Sequence, residues 1–339
     1  SGWERANISN MYIDPTRDYF SQNKKFLLSI FSRYNQWNII NFFADLWVEI
    51  TEEDRGRLIL KSWNSKELLN VLLNETKKNN CELKVNQNVI KIEKNNEKVF
   101  QITTKENQKY LSKNIIISSW WKSFFQVWTT WEGYTIAEQL WINVISPYRA
   151  LCWLTTKKDF KELSWSSINL KLKLFDNKID NAWNRKKQHI IYEEFWPLLF
   201  THFWISWPIV FNTGTALWEY LNSIWIYNEQ EKNKYILENI KIELDINKDN
   251  ATKKIYKFFD LDKEESLIFW LQDWRSWKEA KATWGWIDTL ELDNNMQSKK
   301  HPWLYFIWEV VDVTWKTWWF NLQWAWSSWY VCAKGKYTK

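Results

Sequence analysis

Leu304-Tyr305-Phe306-Ile307-Trp308-Glu309-Val310-Val311-Asp312, followed shortly by Trp318-Trp319-Phe320-Asn321-Leu322-Gln323-Trp324-Ala325, is the stretch on which the fold turns. The apolar run Leu304 to Ile307 after Pro302-Trp303 predicts a strand bounded by a turn. The pattern from Asn321 to about Ala333 predicts a helix, and Asn321 by itself reads as a plain N-cap. Between them lie two carboxylates, Glu309 and Asp312, which alone would be a solvated acidic turn. Trp324 and Trp326 fall inside the helical pattern, where a large aromatic can pack. Trp308, Trp318 and Trp319 fall outside it, where turn residues belong.

That contrast runs along the whole chain. Only 6 of 339 residues are glycine, and 30 are tryptophan, whereas glycine ordinarily makes up about 7% of a sequence. Trp47 separates the helical Phe42–Leu46 from the extended Val48–Ile50, and Trp141 separates Thr135–Leu140 from Ile142–Ile145. Helix, one residue, then strand is the place of a left-handed C′ glycine. Trp303 follows Pro302, where Pro-Gly is ordinary. Trp120-Trp121 follows the apolar run Asn114–Ser118, where a glycine pair lets backbone approach a ligand. These positions predict that all but Trp324 and Trp326 stand in glycine places. UGA codons that specify glycine but are translated as tryptophan would produce the pattern. The Lys-, Asn- and Ile-heavy text fits an AT-rich gene. The other reading is a tryptophan-rich protein that binds sugars through exposed indoles.

Composition bounds the class. Charged residues are 25% and apolar ones 45%, as in a soluble globular protein of about two domains. No apolar run approaches the ~18 residues of a membrane span. The net charge of +6 is spread over the chain without a basic block, which argues against nucleic-acid or membrane partners. Cys81, Cys152 and Cys332 are far apart, as are His189, His202 and His301. That spacing predicts a reduced cytoplasmic protein with no metal site.

Helices are expected at about 38–46 and at Ser65–Lys78, the second with Asn64 as N-cap, Glu67 at N3 and a stripe of Leu68, Leu69, Val71, Leu72 and Leu73. Short strands are expected at Glu82–Val85, Val89–Glu93, Val99–Thr103 and Asn114–Ser118, with a turn at Asn95-Asn96. This order suits a Rossmann-like domain with a β-meander crossover. Pro147 opens a β-rich texture, with helical patterns near Leu217–Ile224 and Ala251–Phe259.

Four segments carry the remaining signal: Ser1 to Asn10; Ser118-Ser119-Trp120-Trp121-Lys122 with Gly133-Tyr134; Thr201-His202-Phe203-Trp204-Ile205-Ser206-Trp207-Pro208; and the carboxy-terminal stretch quoted first. With glycine read at the suspect tryptophans, they resemble the aminoacetone-oxidase-like, YhiN-like FAD-binding flavoproteins, the group that includes the BaiN-type reductases. The resemblance runs from residue 1 to about 333. That family has tryptophan at positions 324 and 326 but glycine at 308, 318, 319 and 329.

The resemblance implies an FAD site. Glu309 and Asp312 match acidic positions where a carboxylate accepts hydrogen bonds from ribityl or ribose hydroxyls. Trp318, Trp319, Asn321, Leu322 and Gln323 match the loop and helix start beside the flavin, where free N–H groups stabilise negative charge. Arg5 and Asn7 match a segment along the cofactor, although Ala6 replaces the family's cysteine. Val89 matches a backbone contact to adenine, or is a sheet core residue. Trp120 and Trp121 match the glycines of an Ala-Thr-Gly-Gly turn, with Ser118 and Ser119 departing from it. The first βαβ unit with its G-x-G-x-x-G turn is not found, so an amino-terminal truncation is expected. His202, as the histidine in a family-like motif, is a weak candidate for general acid or substrate contact, with a packed histidine of the inserted domain the favoured reading, and Tyr134 is weaker still.

The resulting expectation is an α/β protein. A discontinuous glutathione-reductase-type Rossmann FAD domain (1–147 and 283–339) is interrupted by a β-rich substrate domain with a helical part (148–282). The implied activity is FAD-dependent hydride transfer, with NAD(P)H as donor and a small or steroid-like substrate, and without nucleic acid, membrane or metal. Two alternatives stay open: a flavin-binding or flavin-dependent RNA-modifying protein, and a non-functional mistranslated fragment.

Overall fold

The computed structural model describes residues 6–21, 23–95, 99–119, 132–177, 189–262, 266–316 and 318–335. The chain divides into two compact units. One is drawn from residues 1–121, 130–145 and 285–339, and the other from 122–129 and 146–284. Among the described residues, no helix is long and apolar enough to cross a membrane.

In the first unit, strand Asn7–Asn10 pairs with Arg57–Leu60, which pairs with Ile50–Glu53, all antiparallel. Ala6, Ile8, Tyr34, Ile39, Phe43, Val48, Leu58 and Leu60 form one buried cluster there. Helix Gln36–Asp45 starts about two residues earlier than expected because Asn35 caps it. The Asn35 side chain accepts from the N–H of Trp37 and Asn38, and the Asn38 amide oxygen accepts from Asn35 N–H. Such a reciprocal box usually uses Glu or Gln at N3. Helix Ser65–Lys78 has the bounds read from its periodicity, with Asn64 accepting from Lys66 N–H. Glu67 does not close the box; it accepts from the Ser62 hydroxyl instead. Leu68, Val71 and Leu72 lie half-buried against the core, while Leu69 is exposed.

No strand forms at Glu82–Val85. Leu83 and Val85 face solvent, because apolar alternation without a pairing partner makes no ladder. A three-stranded meander follows, Val89–Lys94, Phe100–Thr104 and Lys109–Ser112. Ile115–Ile117 then pairs in parallel with Leu304–Phe306. The carboxy-terminal helix, Trp318–Gly335, packs on the first strand. The Ser9 hydroxyl donates to Gln323 Oε1 at 2.6 Å, and the Trp326 indole N–H donates to Ile8 C=O at 3.0 Å.

The second unit is a closed antiparallel barrel. Around it run Leu154–Thr156, Trp204–Ser206, His189–Phe200, Ser167–Asp176, Ile240–Asp245 and Ser266–Trp274. Leu170, Leu172 and Leu174 are fully buried and alternate with Lys171 and Lys173, the period of two that a strand imposes. Helix Pro208–Ser223 is twice the length read from the sequence, since Pro208 occupies its first turn and Ile209 and Val210 are buried. Helix Glu229–Asn239, absent from the reading, is masked by its charges.

The backbone bears directly on the tryptophans. Of the sixteen described non-glycine residues with positive φ, nine are tryptophan: 47, 63, 141, 165, 207, 225, 286, 303 and 308. Three of them end helices in one way. Trp47 N–H donates to Ala44 C=O, and Val48 N–H to Phe43 C=O. The same pair of bonds recurs at Trp141-Ile142 and at Trp225-Ile226, which is the Schellman pattern with its left-handed C′ residue. Trp207 has φ 98° and ψ 165°, a region almost reserved for glycine.

Candidate functional site

Parallel strands of an open α/β sheet present ligands with their carboxyl ends. Here those ends belong to Ile115–Ile117, which leads into Ser118-Ser119, and Leu304–Phe306, which leads into a short helical turn, Trp308–Val310. The start of helix Glu132–Gln139 lies against both. A Cβ placed on Gly133 would stand 2.2 Å from Ser119 Oγ and 3.4 Å from Val310 Cγ2. Gly133 thus serves a close approach to the Ser119 hydroxyl rather than a special φ. The same helix lies against strand Val89–Lys94.

Glu309 is the centre of this group. It is buried, and the Asn321 side-chain amide donates to its Oε1. Burial pushes its carboxyl well above the usual carboxylate range, against the smaller opposing effect of the Asn321 hydrogen bond. Glu309 Oε2, Asn321 Oδ1 and Ser119 Oγ are buried and have no hydrogen-bond partner. Such an orphan costs roughly 1–3 kcal/mol, so the orphan oxygens on the bonded pair Glu309 and Asn321 mark a position for a polar ligand, and Ser119 Oγ adds a third at the end of the paired strand. Asp312 is buried nearby. Its Oδ1 accepts from Gly285 N–H at 3.1 Å, and its own N–H donates to Ile287 C=O at 2.9 Å. Burial, then the Asp312 charge, raises the Tyr134 phenol.

One side chain does not suit the arrangement. The Trp286 ring centroid lies 3.5 Å from that of Tyr134 at an interplanar angle of 42°, well inside the ~4.5–7 Å at which aromatic pairs pack. Trp286 has φ 110°, is 1% exposed, and its indole N–H has no acceptor. The indoles of Trp204, Trp218, Trp274 and Trp284 are likewise buried without an acceptor. Trp324 and Trp326 differ: both sit in regular helix, and the Trp324 N–H donates to Trp308 C=O at 2.9 Å.

The residues singled out from the sequence divide into groups. Glu309, Asp312 and Asn321 come together at the strand ends, with Tyr134. Gln323 is fully buried but is occupied by Ser9 and Ser327, tying the helix to the first strand. Leu322 beside it is half-buried. Trp318 and Trp319 open the carboxy-terminal helix. Asn7 begins the first strand, opposite Ile59, and Val89 begins the meander, opposite Thr104. Arg5, Trp120 and Trp121 lie outside the described residues. His202 belongs to the barrel unit, exposed in the turn before Trp204, and is not part of the group around Glu309. Sequence reasoning did not assign Ser119 or Gly133 a role; their only signal was proximity to the Trp120-Trp121 turn. Among the described residues, no three His, Cys, Asp or Glu side chains gather as metal ligands, and all three cysteines are free thiols.

Unpaired acceptors and a hydroxyl beyond a parallel strand pair suit a hydroxyl-rich nucleotide cofactor. Glu309, Asn321 and Ser119 fit such a group, and the Trp286 indole is the misfit. The fold is mixed α/β, with a parallel strand pair beside helices in the first unit. The chain matches the HI0933-like protein Rossmann domain over residues 1–335 and belongs to that family, which is of FAD-binding type. It is similar to the ribosomal RNA dihydrouridine synthase of Haemophilus influenzae, at 28% identity over 98% of this chain and 87% of that protein. It is also similar to the ribosomal RNA dihydrouridine synthase of Escherichia coli, at 26% identity with the same coverage.

Proposed function

We propose that the protein is an FAD-dependent reductase that converts uridine in ribosomal RNA to dihydrouridine. The observation that carries the cofactor is the set of buried oxygens without partners, Glu309 Oε2, Asn321 Oδ1 and Ser119 Oγ, beyond the carboxyl ends of the parallel strands. The similarity to two proteins named for this reaction supports the substrate. The RNA-modifying reading, set second in the sequence, thus becomes the first. No observation favours the small or steroid-like substrate expected there.

Saturating the C5–C6 bond of uracil adds one hydride and one proton. The chemistry that FAD would supply when bound is the hydride, with a nicotinamide nucleotide as the proposed source of electrons. Asn321 and Glu309 would hold the cofactor's hydroxyl-bearing chain. The neutral Glu309 carboxyl offers a donor as well as an acceptor. Gly133 lets the helix start close over Ser119.

We propose further that glycine natively occupies the nine positive-φ tryptophan positions, Trp286 among them. Supporting this are the three Schellman helix ends, the glycine-only backbone at Trp207, and the overlap of the Trp286 and Tyr134 rings.

Expression in a bacterium deleted for its own ribosomal RNA dihydrouridine synthase, with glycine at these positions, tests the proposal. Nucleoside mass spectrometry of the ribosomal RNA is expected to show dihydrouridine restored. A yellow, FAD-loaded protein that restores none would overturn the substrate. A folded, colourless protein would overturn the cofactor.

A further inference from the structure

The barrel unit carries an exposed basic and aromatic face built from separated parts of the sequence. Thr156 N–H approaches Phe203 C=O, Lys157 N–H donates to Trp270 C=O, and Phe160 N–H donates to His202 C=O. These bonds put Lys157 and Lys158 beside the turn that bears His202 and Phe203. Phe203 is 46% exposed, and the Arg275 guanidinium carbon stands 4.8 Å from its ring centroid. Lys157 and Lys158 are exposed, and neither is in an ion pair among the described residues. The Lys158 ammonium lies 5.3 Å from the Phe258 ring centroid. Acidic groups near this face include Glu279, which holds Arg275; Asp273, which holds Arg149; Asp159, which accepts from Lys161 N–H; and Asp262, which accepts from the Tyr256 hydroxyl. Glu279 thus holds Arg275 against the Phe203 and Trp204 rings, its guanidinium carbon 4.8 Å from the first centroid and 4.4 Å from the second.

We infer that this face, centred on Lys157, Lys158, Phe203 and Arg275, docks single-stranded RNA. The inference rests on the RNA reading above and adds the surface that serves it. An exposed aromatic ring backed by a guanidinium is a platform for an unstacked base. Paired lysines beside it neutralise neighbouring phosphates without reading sequence. An enzyme that reduces a base must take it out of its stack, so the strand needs a surface that holds it unpaired.

The test measures binding of a short, fluorescein-labelled, uridine-rich single-stranded RNA to the purified protein across a salt series. Lys157→Glu/Lys158→Glu is expected to weaken binding at least ~10-fold at low salt and to reduce the slope of log K against log[salt] by about 1.4, two phosphates at ~0.7 each. Phe203→Ala is expected to weaken binding ~10-fold with the slope unchanged, as loss of stacking does. Lys66→Glu/Lys77→Glu, on the Ser65–Lys78 helix of the other unit, makes the same charge change and is expected to stay within about twofold. Equal losses in both charge-reversed proteins would overturn the inference, as would no loss in either. Tighter binding of polyglutamate or of phosphatidylserine vesicles than of RNA would also overturn it. If Lys157→Glu/Lys158→Glu fails to fold, Lys157→Gln/Lys158→Gln reads the same slope. Protein that docks RNA here yet forms no dihydrouridine refutes only the proposed reaction. Dihydrouridine formed at the same rate by the substituted proteins refutes only this surface.

Discussion

Replacing Trp47 by glycine is expected to stabilise the protein, against the rule that removing a large aromatic destabilises. Trp47 sits at φ 62° and is 92% exposed, so its indole has almost no packing to lose. A left-handed backbone costs an L-residue about 1–2 kcal/mol. Glycine removes that cost but adds about 0.5–1 kcal/mol of unfolded-chain entropy, leaving a gain of about 0.5–1 kcal/mol. Both hydrogen bonds of the helix end are backbone bonds and survive the change. Trp141, at φ 55° and 86% exposed, closes the same motif in the same unit. The two sites share no partner and are expected to add, giving about 1–2 kcal/mol. The opposite control is Trp324→Gly, which removes a fully buried indole, its hydrogen bond to Trp308 C=O and a helix-favouring residue. It is expected to cost about 4 kcal/mol or more. Urea unfolding followed by far-ultraviolet circular dichroism measures all three. Destabilisation by Trp47→Gly and Trp141→Gly comparable to that of Trp324→Gly would refute the reasoning.

The remaining predictions concern the site and the gene product. Gly133→Ala is expected to destabilise the first unit, because its Cβ would meet Ser119 Oγ at 2.2 Å. Ser119→Ala in the same chain is expected to restore most of the loss in a double-mutant cycle, and additive losses would place the clash elsewhere. Glu309 has a raised folded pKa, so the folded state holds a proton that the unfolded state releases above the ordinary value of 4.5. Its contribution to the cofactor-free protein therefore falls as pH rises from there. Glu309→Gln is expected to flatten that fall by up to about 1.4 kcal/mol per pH unit, measured by urea unfolding at several pH values. A pH profile unchanged by the substitution would show that Glu309 titrates normally. Tandem mass spectrometry of protein from its native host is expected to find glycine residue masses at positions 47, 141, 207 and 286, and indole masses at 324 and 326. Indole masses at the first four would end the glycine proposal.

What was legible in the sequence was local. Asn64 and the leucine periodicity set helix Ser65–Lys78, and one odd residue between helix and strand marked Trp47 and Trp141 as left-handed. Leu304–Phe306 was legible from its apolar run and flanking turn. Glu82–Val85 carried the same alternation and formed no strand, because a strand needs a neighbour that a single segment does not reveal. The demanding backbone at Trp207 and Trp286 was not singled out, since it depends on how a barrel strand meets a helix and how the chain re-enters the first unit. Glu309 and Asp312 were visible as carboxylates beside a family-like motif. The feature that makes Glu309 informative, burial with an unpaired oxygen, exists only once the parallel strands and Asn321 enclose it. Ser119 and Gly133 illustrate the same limit: fourteen positions apart in the chain, they are linked only by tertiary contact. The basic face was invisible for a related reason. Lys157, Phe203 and Arg275 form no charge block in the sequence and become neighbours through barrel registry.

Flavin in the native protein is the central claim. Protein purified from its own host is predicted to show the visible absorption bands of oxidised flavin and to release about one FAD per chain on denaturation, consistent with a nucleotide-binding Rossmann site. A folded, colourless protein that releases no FAD, and takes none up when it is supplied, would contradict it.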